Sequence, residues 1–577
     1  MLPILPQKLA QVDLVTSECF DCGDIFGHGR FQRCLFVLTM ASVCAMHCHT
    51  LVFRLISGDV DHWCKQPRGE GMMSAASWRN AAIPIDPDGR FSRCTVYKHP
   101  DDPNDTRVVS CDEWDYDPER QKSTIVSQWD LVCDRQPLLV VAQAVSILGS
   151  LIFMSGVGLV ADHFGRLPVL LSSVVALQLA TLGSSFAASY SVYVLSSFLN
   201  SGCVATVMVL SSTLLFEAST HRRRSLHLFV AMSAGMLTAE GWFVFARLLR
   251  QLRQVDWIVL QIVMLLPTVL TLYAFAAAYE SPRWHVANKD MAGAEMIMLS
   301  AAKKNHFPLI TTACMLVRLN EEVALSAARL MVTGGDVAGA RDLRHRALVM
   351  FCSSFAVTFT MFAVQLLETE APSGTNSWLQ LAPIGVKIVG FALLLVAVRM
   401  TTAPHLLVST LGALGGTSCL ISLTFPWKRD LITSVLFLLA KPLVHGCDVI
   451  IFTTAMNVGG AAVRCVTICW LFGFGRLGGA WAATLLTVLD VGHGDVVFAL
   501  AGTVLFAVML AQLRLPPMHE VLILSSTDPA SKNIAGVEFM KHTLDTPSYR
   551  KESRSKSRTS SLSSRGPGSE FYTTESY

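Results

Sequence analysis

Ser123-Thr-Ile-Val-Ser-Gln-Trp-Asp-Leu-Val-Cys-Asp-Arg-Gln136 is a polar block that runs into an apolar stretch, residues 138–160, which closes on Gly158-Leu-Val-Ala-Asp-His-Phe-Gly-Arg166. About 20 apolar residues cross a bilayer as a helix, so the stretch is of membrane length. Gly158 and Gly165 bracket a reversal made within a few residues, because glycine tolerates both close packing and unusual backbone angles. The order is therefore a polar segment, a crossing, a tight turn carrying Asp162 and Arg166, and a second crossing.

The same signal repeats along the chain. Apolar runs lie at 34–53, 138–160, 168–188, 191–216, 226–246, 257–279, 347–367, 378–398, 404–424, 432–455, 465–487 and 496–513. The tenth contains Lys441, His445 and Asp448, and the last is short. Charged residues are 15% of the chain and apolar ones 52%, where a soluble chain carries about 25% charged residues. Backbone groups in hydrocarbon must bond within their own segment, so the runs are helices. The expectation is an all-α membrane protein of twelve transmembrane helices in two six-helix bundles. Its parts are a cytosolic N-terminus (1–33), a first bundle (34–284) with an extracellular insertion at 57–137, a cytosolic linker (285–346), a second bundle (347–515) and a disordered cytosolic tail (516–577). The first 33 residues include Asp13, Glu18, Asp21 and Asp24, so no cleavable signal peptide is expected and the first run stays as a helix.

Orientation follows from basic residues in short loops. Arg222, Arg223 and Arg224 follow helix 4, Arg166 follows helix 2 and Arg399 follows helix 8, which puts that side and both termini in the cytosol. Arg247, Arg250 and Arg253, after helix 5, point the other way and are outvoted. The 57–137 insertion is then extracellular. Its Cys64, Cys94, Cys111 and Cys133 allow three disulfide pairings that sequence does not choose among. Asn104-Asp-Thr106 is an N-glycosylation acceptor there.

Further motifs accompany the opening block: Gly29-Arg-Phe-Gln-Arg33, Asp61-His-Trp-Cys64, Trp78-Arg-Asn-Ala-Ala-Ile-Pro84, Asp86-Pro-Asp-Gly-Arg-Phe-Ser-Arg-Cys94 and Glu280-Ser-Pro-Arg-Trp284. In this order they resemble solute carrier family 22, the organic cation, anion and zwitterion carriers of the major facilitator superfamily. The matches are dense over 26–284 and sparse beyond. The resemblance implies a plasma-membrane carrier of small organic ions working by alternating access. Asp162, Arg166, Glu217, Arg222, Glu280, Arg283 and Arg464 are the expected gating charges, since acids recur with the bases at helix ends and can hold one face shut. The pattern departs at His163 and Leu167. It departs further at Arg399-Met-Thr-Thr-Ala-Pro404, and at Thr454–Arg464, where Asn457 stands at an acidic position and Gly459-Gly460 near a Tyr-Pro. A weakened gate in the second half is the expectation.

Charges inside membrane spans are costly and are functional candidates. They are Glu240, Lys387, Lys441, Asp448 and Arg476. Lys387 lies about nine residues from either end of its span, roughly 13 Å along a helix, too far to snorkel, so it is expected to face a central cavity. Arg476 sits among Gly473, Gly475, Gly478 and Gly479, which leave room around its guanidinium. Asp448 follows Lys441 by two helical turns and shares its face. The resemblance places a lysine in helix 8 and an arginine in helix 11 in the organic-anion branch, so Lys387 and Arg476 favour organic anions. Glu240 and Asp448 keep open an organic cation or zwitterion (carnitine-like) carrier, and the altered second half a non-transporting receptor-like or scaffold descendant. Trp242, Phe243, Phe359, Met361 and Phe362 are the candidate cavity wall. Cys44, His47, Cys48 and His49 read as helix packing rather than a metal site. No phosphate-binding Gly-x4-Gly-Lys-Ser/Thr loop, HExxH pair or serine-nucleophile elbow occurs, so neither an enzyme, a cofactor nor ATP-driven transport is expected. The expected partners are a small organic ion and the lipid bilayer, with a counter-ion or proton left open, and no nucleic acid.

Overall fold

The computed structural model describes residues 29–514 except 59, 67–73, 87–88, 90, 101–105, 117–122, 221–222, 254, 307–318, 321–322, 325–336, 368–381, 401–403, 423–430 and 489–493. Asn104, Arg222 and the 516–577 tail lie outside the described residues.

Apolar composition with few breakers produces long helices. They are α1 (Arg30–Ile56), α2 (Pro137–Phe164), α3 (Arg166–Ser185), α4 (Tyr190–Glu217), α5 (Arg224–Arg253) and α6 (Trp257–Ala277) in the first half. The second half holds α7 (Val337–Leu367), α8 (Ala382–Met400), α9 (Pro404–Ser422), α10 (Leu431–Val458), α11 (Arg464–Val488) and α12 (Gly494–Leu513). Among the described residues, nine helices are long and apolar enough to cross a membrane. Within α6 the helix tightens to 3-10 form over Leu266–Tyr273, where Pro267 lacks the N–H that the α-pattern needs. Two helices run past their apolar runs. α7 begins at Val337, inside the expected linker. α5 continues to Arg253, and the Arg250 guanidinium donates to the Leu55 carbonyl, 2.6 Å. A cation on the last carbonyls of α1 is favourable at a helix C-terminus.

The two halves meet along α2 against α11 and α5 against α8 and α10. The α2–α11 contact is close because Gly158 has no side chain: a Cβ there would stand 2.7 Å from the Val466 Cα.

The 57–137 insertion forms two small antiparallel ladders. β1 (His62–Cys64) pairs with β4 (Trp114–Tyr116), and β2 (Thr95–Tyr97) with β3 (Val108–Ser110). Of the three cystine pairings, the structure has Cys64–Cys111 and Cys94–Cys133. The opening block docks this insertion onto the bundle. Thr124 caps a short helix, Ile125–Gln128, and Trp129 packs against Tyr193 of α4 and Trp257 of α6. The Ser123 hydroxyl donates to Asp256, 3.0 Å. On the opposite side, Asn305 follows the linker helix Met291–Lys304 and accepts from the Phe31 N–H at the start of α1.

Candidate functional site

A cleft of about 1040 Å³, counted with its open mouth, lies between α1, α5, α7, α10 and α11. Met46, Met232, Met236, Met361, Phe362 and Phe472 give it an apolar, adaptable wall, and thioether side chains reshape easily around varied ligands. Glu240, Lys441, His445, Asp448 and Arg476 bring charge and polarity to it. A second cleft of about 750 Å³ opens between α1, α2, α4 and α6 and is lined by hydroxyls and amides, including Ser146, Ser150, Ser197, Asn200 and Gln261. Arg476 and Phe362 line both, so the guanidinium stands where an apolar chamber meets a hydrogen-bonding one.

Arg476 is placed by backbone packing. A Cβ on Gly478 would lie 2.2 Å from the Phe355 carbonyl oxygen, so α11 presses directly on α7. The guanidinium then sits 4.5 Å from the Phe472 ring centroid and 5.9 Å from that of Phe362. Among the described residues no carboxylate pairs with it within 4.0 Å, though Asp448 shares its cleft. The lysines are held differently. Glu240 of α5 reaches both: Oε2 is 2.9 Å from Lys387 Nζ and Oε1 is 3.5 Å from Lys441 Nζ. Lys387 is 1% exposed and lines neither cleft; it stands behind the cavity, not in it, because the Glu240 carboxylate draws it across the interface between the halves. Lys441 and Asp448 share the cleft face.

Of the aromatic candidates, Phe362 and Met361 reach the main cleft. Trp242 lines neither, since its indole N–H donates to the Val263 carbonyl, 2.7 Å, and its ring packs on Phe245. Phe243 packs around the Trp129–Trp257 cluster, and Phe359 is buried beside Ile147 and Ala363. His445 was legible only as a polar residue in a span. Its Nε2 is buried and makes no hydrogen bond among the described residues, and its ring lies 6.2 Å from that of His47. The hydroxyl chamber was missed altogether, although Ser146 and Ser150, and Ser197 and Ser201, recur at the four-residue spacing that aligns one helix face. Cys44, His47, Cys48 and His49 do not converge as a ligand set among the described residues.

A second charge cluster closes the end that carries the linker. The Asp162 carboxylate accepts the N–H groups of Cys465 and Val466, 3.3 and 2.9 Å, capping α11 from the opposite half at the positive end of its dipole. Arg166 Nη2 lies 3.1 Å from Asp162, 3.5 Å from Glu217 and 2.5 Å from the Ala461 carbonyl. Arg464 pairs with Glu217 and donates from Nε to the Met456 carbonyl, 3.0 Å. Arg283 donates to the Glu217 carbonyl, 3.2 Å, and Glu280 accepts the Leu167 N–H, 2.9 Å. Gly165 carries φ +106° at this turn. The residue at the lost acidic position, Asn457, turns its amide onto the Thr453 carbonyl of its own helix. The second half contributes Arg464 and main-chain groups of 461, 465 and 466 to the cluster. At the other end Arg54 Nη1 donates to the Gln365 carbonyl, 2.7 Å, and ties α1 to α7.

The profile of the family described as "Sugar (and other) transporter" matches residues 91–424, more than half of the chain. Solute carrier family 22 member 12 of Homo sapiens is 29% identical over 537 residues, which is 87% of this chain and 93% of that protein. Organic anion transporter 3 of Homo sapiens is 26% identical over 61% of this chain and 64% of its own length. Among solved structures, the major facilitator superfamily proton:xylose symporter XylE superposes with a TM-score of 0.58 at 13% identity, over 85% of this chain and 98% of that one. The fold is therefore that of the major facilitator superfamily. Two halves joined across α2–α11 and α5–α8, a charged central cleft and the matched profile make the chain a member of the sugar (and other) transporter family, in its solute carrier family 22 branch.

Proposed function

We propose that the protein carries small organic anions across the plasma membrane by alternating access, with both termini in the cytosol. The carrying observation is Arg476: a half-buried guanidinium with no carboxylate within 4.0 Å among the described residues, at the junction of an apolar and a hydrogen-bonding chamber. A guanidinium binds carboxylate or sulfonate through two parallel donors, and the methionine and phenylalanine wall receives the substrate's apolar body. The relative named organic anion transporter 3 supports the same sign of charge. Asp162, Arg166, Glu217, Arg222, Glu280, Arg283 and Arg464 serve as the cytosolic lock. Release of the lock opens the cleft inward, and release of Arg54 from α7 opens it outward. No bond is made or broken in the substrate. The insertion is extracellular, stapled by its two cystines and glycosylated at Asn104.

Uptake in transfected cells tests the reading. A labelled aromatic carboxylate should accumulate and a quaternary ammonium should not. Arg476→Ala should reduce carboxylate uptake at least tenfold at unchanged surface abundance. Ammonium uptake without carboxylate uptake would establish a cation carrier instead, and transport of neither, at normal surface level, a receptor-like role.

A further inference from the structure

We propose that Glu240 sets the valence of the substrate, so that the carrier takes anions of one negative charge in preference to two. The inference rests on the organic-anion reading above. The groups facing the region come from five helices: His47 of α1, Glu240 of α5, Lys387 of α8, Lys441, His445 and Asp448 of α10, and Arg476 of α11. Histidines aside, three cations face two carboxylates among the described residues, an excess of one positive charge. Glu240 is what reduces the excess to one. Its two oxygens divide between the lysines, at 2.9 Å and 3.5 Å, and all three groups are buried, at 8%, 1% and 3% exposure. Charge uncompensated in a site closed off from water is costly. A monovalent anion at Arg476 brings the occluded site to neutrality, whereas a divalent one leaves it negative. An incoming second carboxylate must also compete with the Glu240 carboxylate, which is tethered and already in contact with both ammonium groups. Glu240 thus acts as a fixed internal anion that occupies the place a substrate's second charge would take.

The test uses benzenesulfonate and benzene-1,4-disulfonate, whose charges do not change with pH, in cells expressing the full-length protein. Wild type should take up the monosulfonate at least tenfold faster. Glu240→Gln adds one positive charge to the site and should shift the ratio at least tenfold toward the disulfonate. Glu240→Asp should keep the wild-type ratio. The double variant Glu240→Gln/Lys387→Gln returns the site to its original charge and should restore monovalent preference; it also serves if Glu240→Gln alone does not reach the surface. Wild-type preference for the disulfonate overturns the proposal. So does an unchanged ratio in Glu240→Gln. Uptake of monosulfonate that depends on Arg476 would, in that case, leave the anion-carrier reading standing.

Discussion

Two buried clusters of charge bridge the halves of this molecule, and they differ in arithmetic. At the linker end, among the described residues, two acids, Asp162 and Glu217, meet two bases, Arg166 and Arg464, and every one of these charges has an opposite partner, Arg464–Glu217 across the halves. In the middle of the bundle, among the described residues, two acids, Glu240 and Asp448, meet three bases, and the surplus base lines a cleft of about 1040 Å³. A balanced cluster holds surfaces together; an unbalanced one invites a counter-charge. The balanced cluster is also incomplete in hydrogen bonds. Arg166 Nε and Nη1 and Glu217 Oε2 have no partner among the described residues, and buried polar atoms left so are costly.

The comparison breaks most readily at Glu217. Glu217→Gln leaves Arg166 with Asp162 but takes from Arg464 the carboxylate it pairs with, and removing one partner of a buried ion pair costs roughly 3–5 kcal/mol. The expected outcome is uptake near background together with reduced surface abundance, read by surface biotinylation beside the uptake assay. Partial recovery in Glu217→Gln/Arg464→Gln would tie the loss to charge imbalance; full activity in the single variant would show that the cluster is not a lock.

Arg476 should behave in the opposite way. Removing a half-buried cation that has no carboxylate within 4.0 Å among the described residues breaks no ion pair and relieves part of a desolvation cost, so Arg476→Ala should lose transport while the detergent-solubilised protein melts at the wild-type temperature or above. A fall in Tm as large as that of Glu217→Gln would mean that both clusters are structural. Gly158→Val probes the contact beneath the lock. The added side chain meets the Val466 backbone, where even a Cβ stands 2.7 Å away. The helices must part, so Cys465, fully buried in the closed state, should label faster with a thiol reagent applied from the linker side. Uptake should fall several-fold, and unchanged labelling would place the moving contact elsewhere.

Sequence reading located the helices because hydrocarbon imposes a length and a composition on each one separately. It located Asp162, Arg166, Glu217 and Arg464 because charges at helix ends stand out against apolar runs. It read Asn457 as a defect of the second half, because main-chain donors leave no trace in residue identity. The N–H groups of Cys465 and Val466 bond Asp162, and the carbonyl of Ala461 bonds Arg166. Lys387 was misplaced for a related reason. Its position in the span was clear, but its partner Glu240 is remote in sequence, and only tertiary packing shows that the lysine points at an acid rather than at open space. The hydroxyl chamber escaped notice since serines in membrane helices commonly bond back to their own carbonyls, as Ser150 does to Ile147.

Trp242 marks the boundary of the cleft, and the smallest effect is expected there. Its indole N–H bonds to Val263 and its ring covers Phe245, which joins α5 to α6 within the first half. Trp242→Phe removes one neutral hydrogen bond, worth about 0.5–1.5 kcal/mol, and leaves most of the apolar contact. Tm should drop by a few degrees, while the benzenesulfonate to disulfonate ratio should stay at the wild-type value. A changed ratio would mean that substrate reaches α6. The cation surplus would then be shared with the hydroxyl chamber, whose Gln261 and Leu265 lie on that helix, and the unbalanced cluster would be larger than the one drawn from Arg476, Lys441 and Lys387.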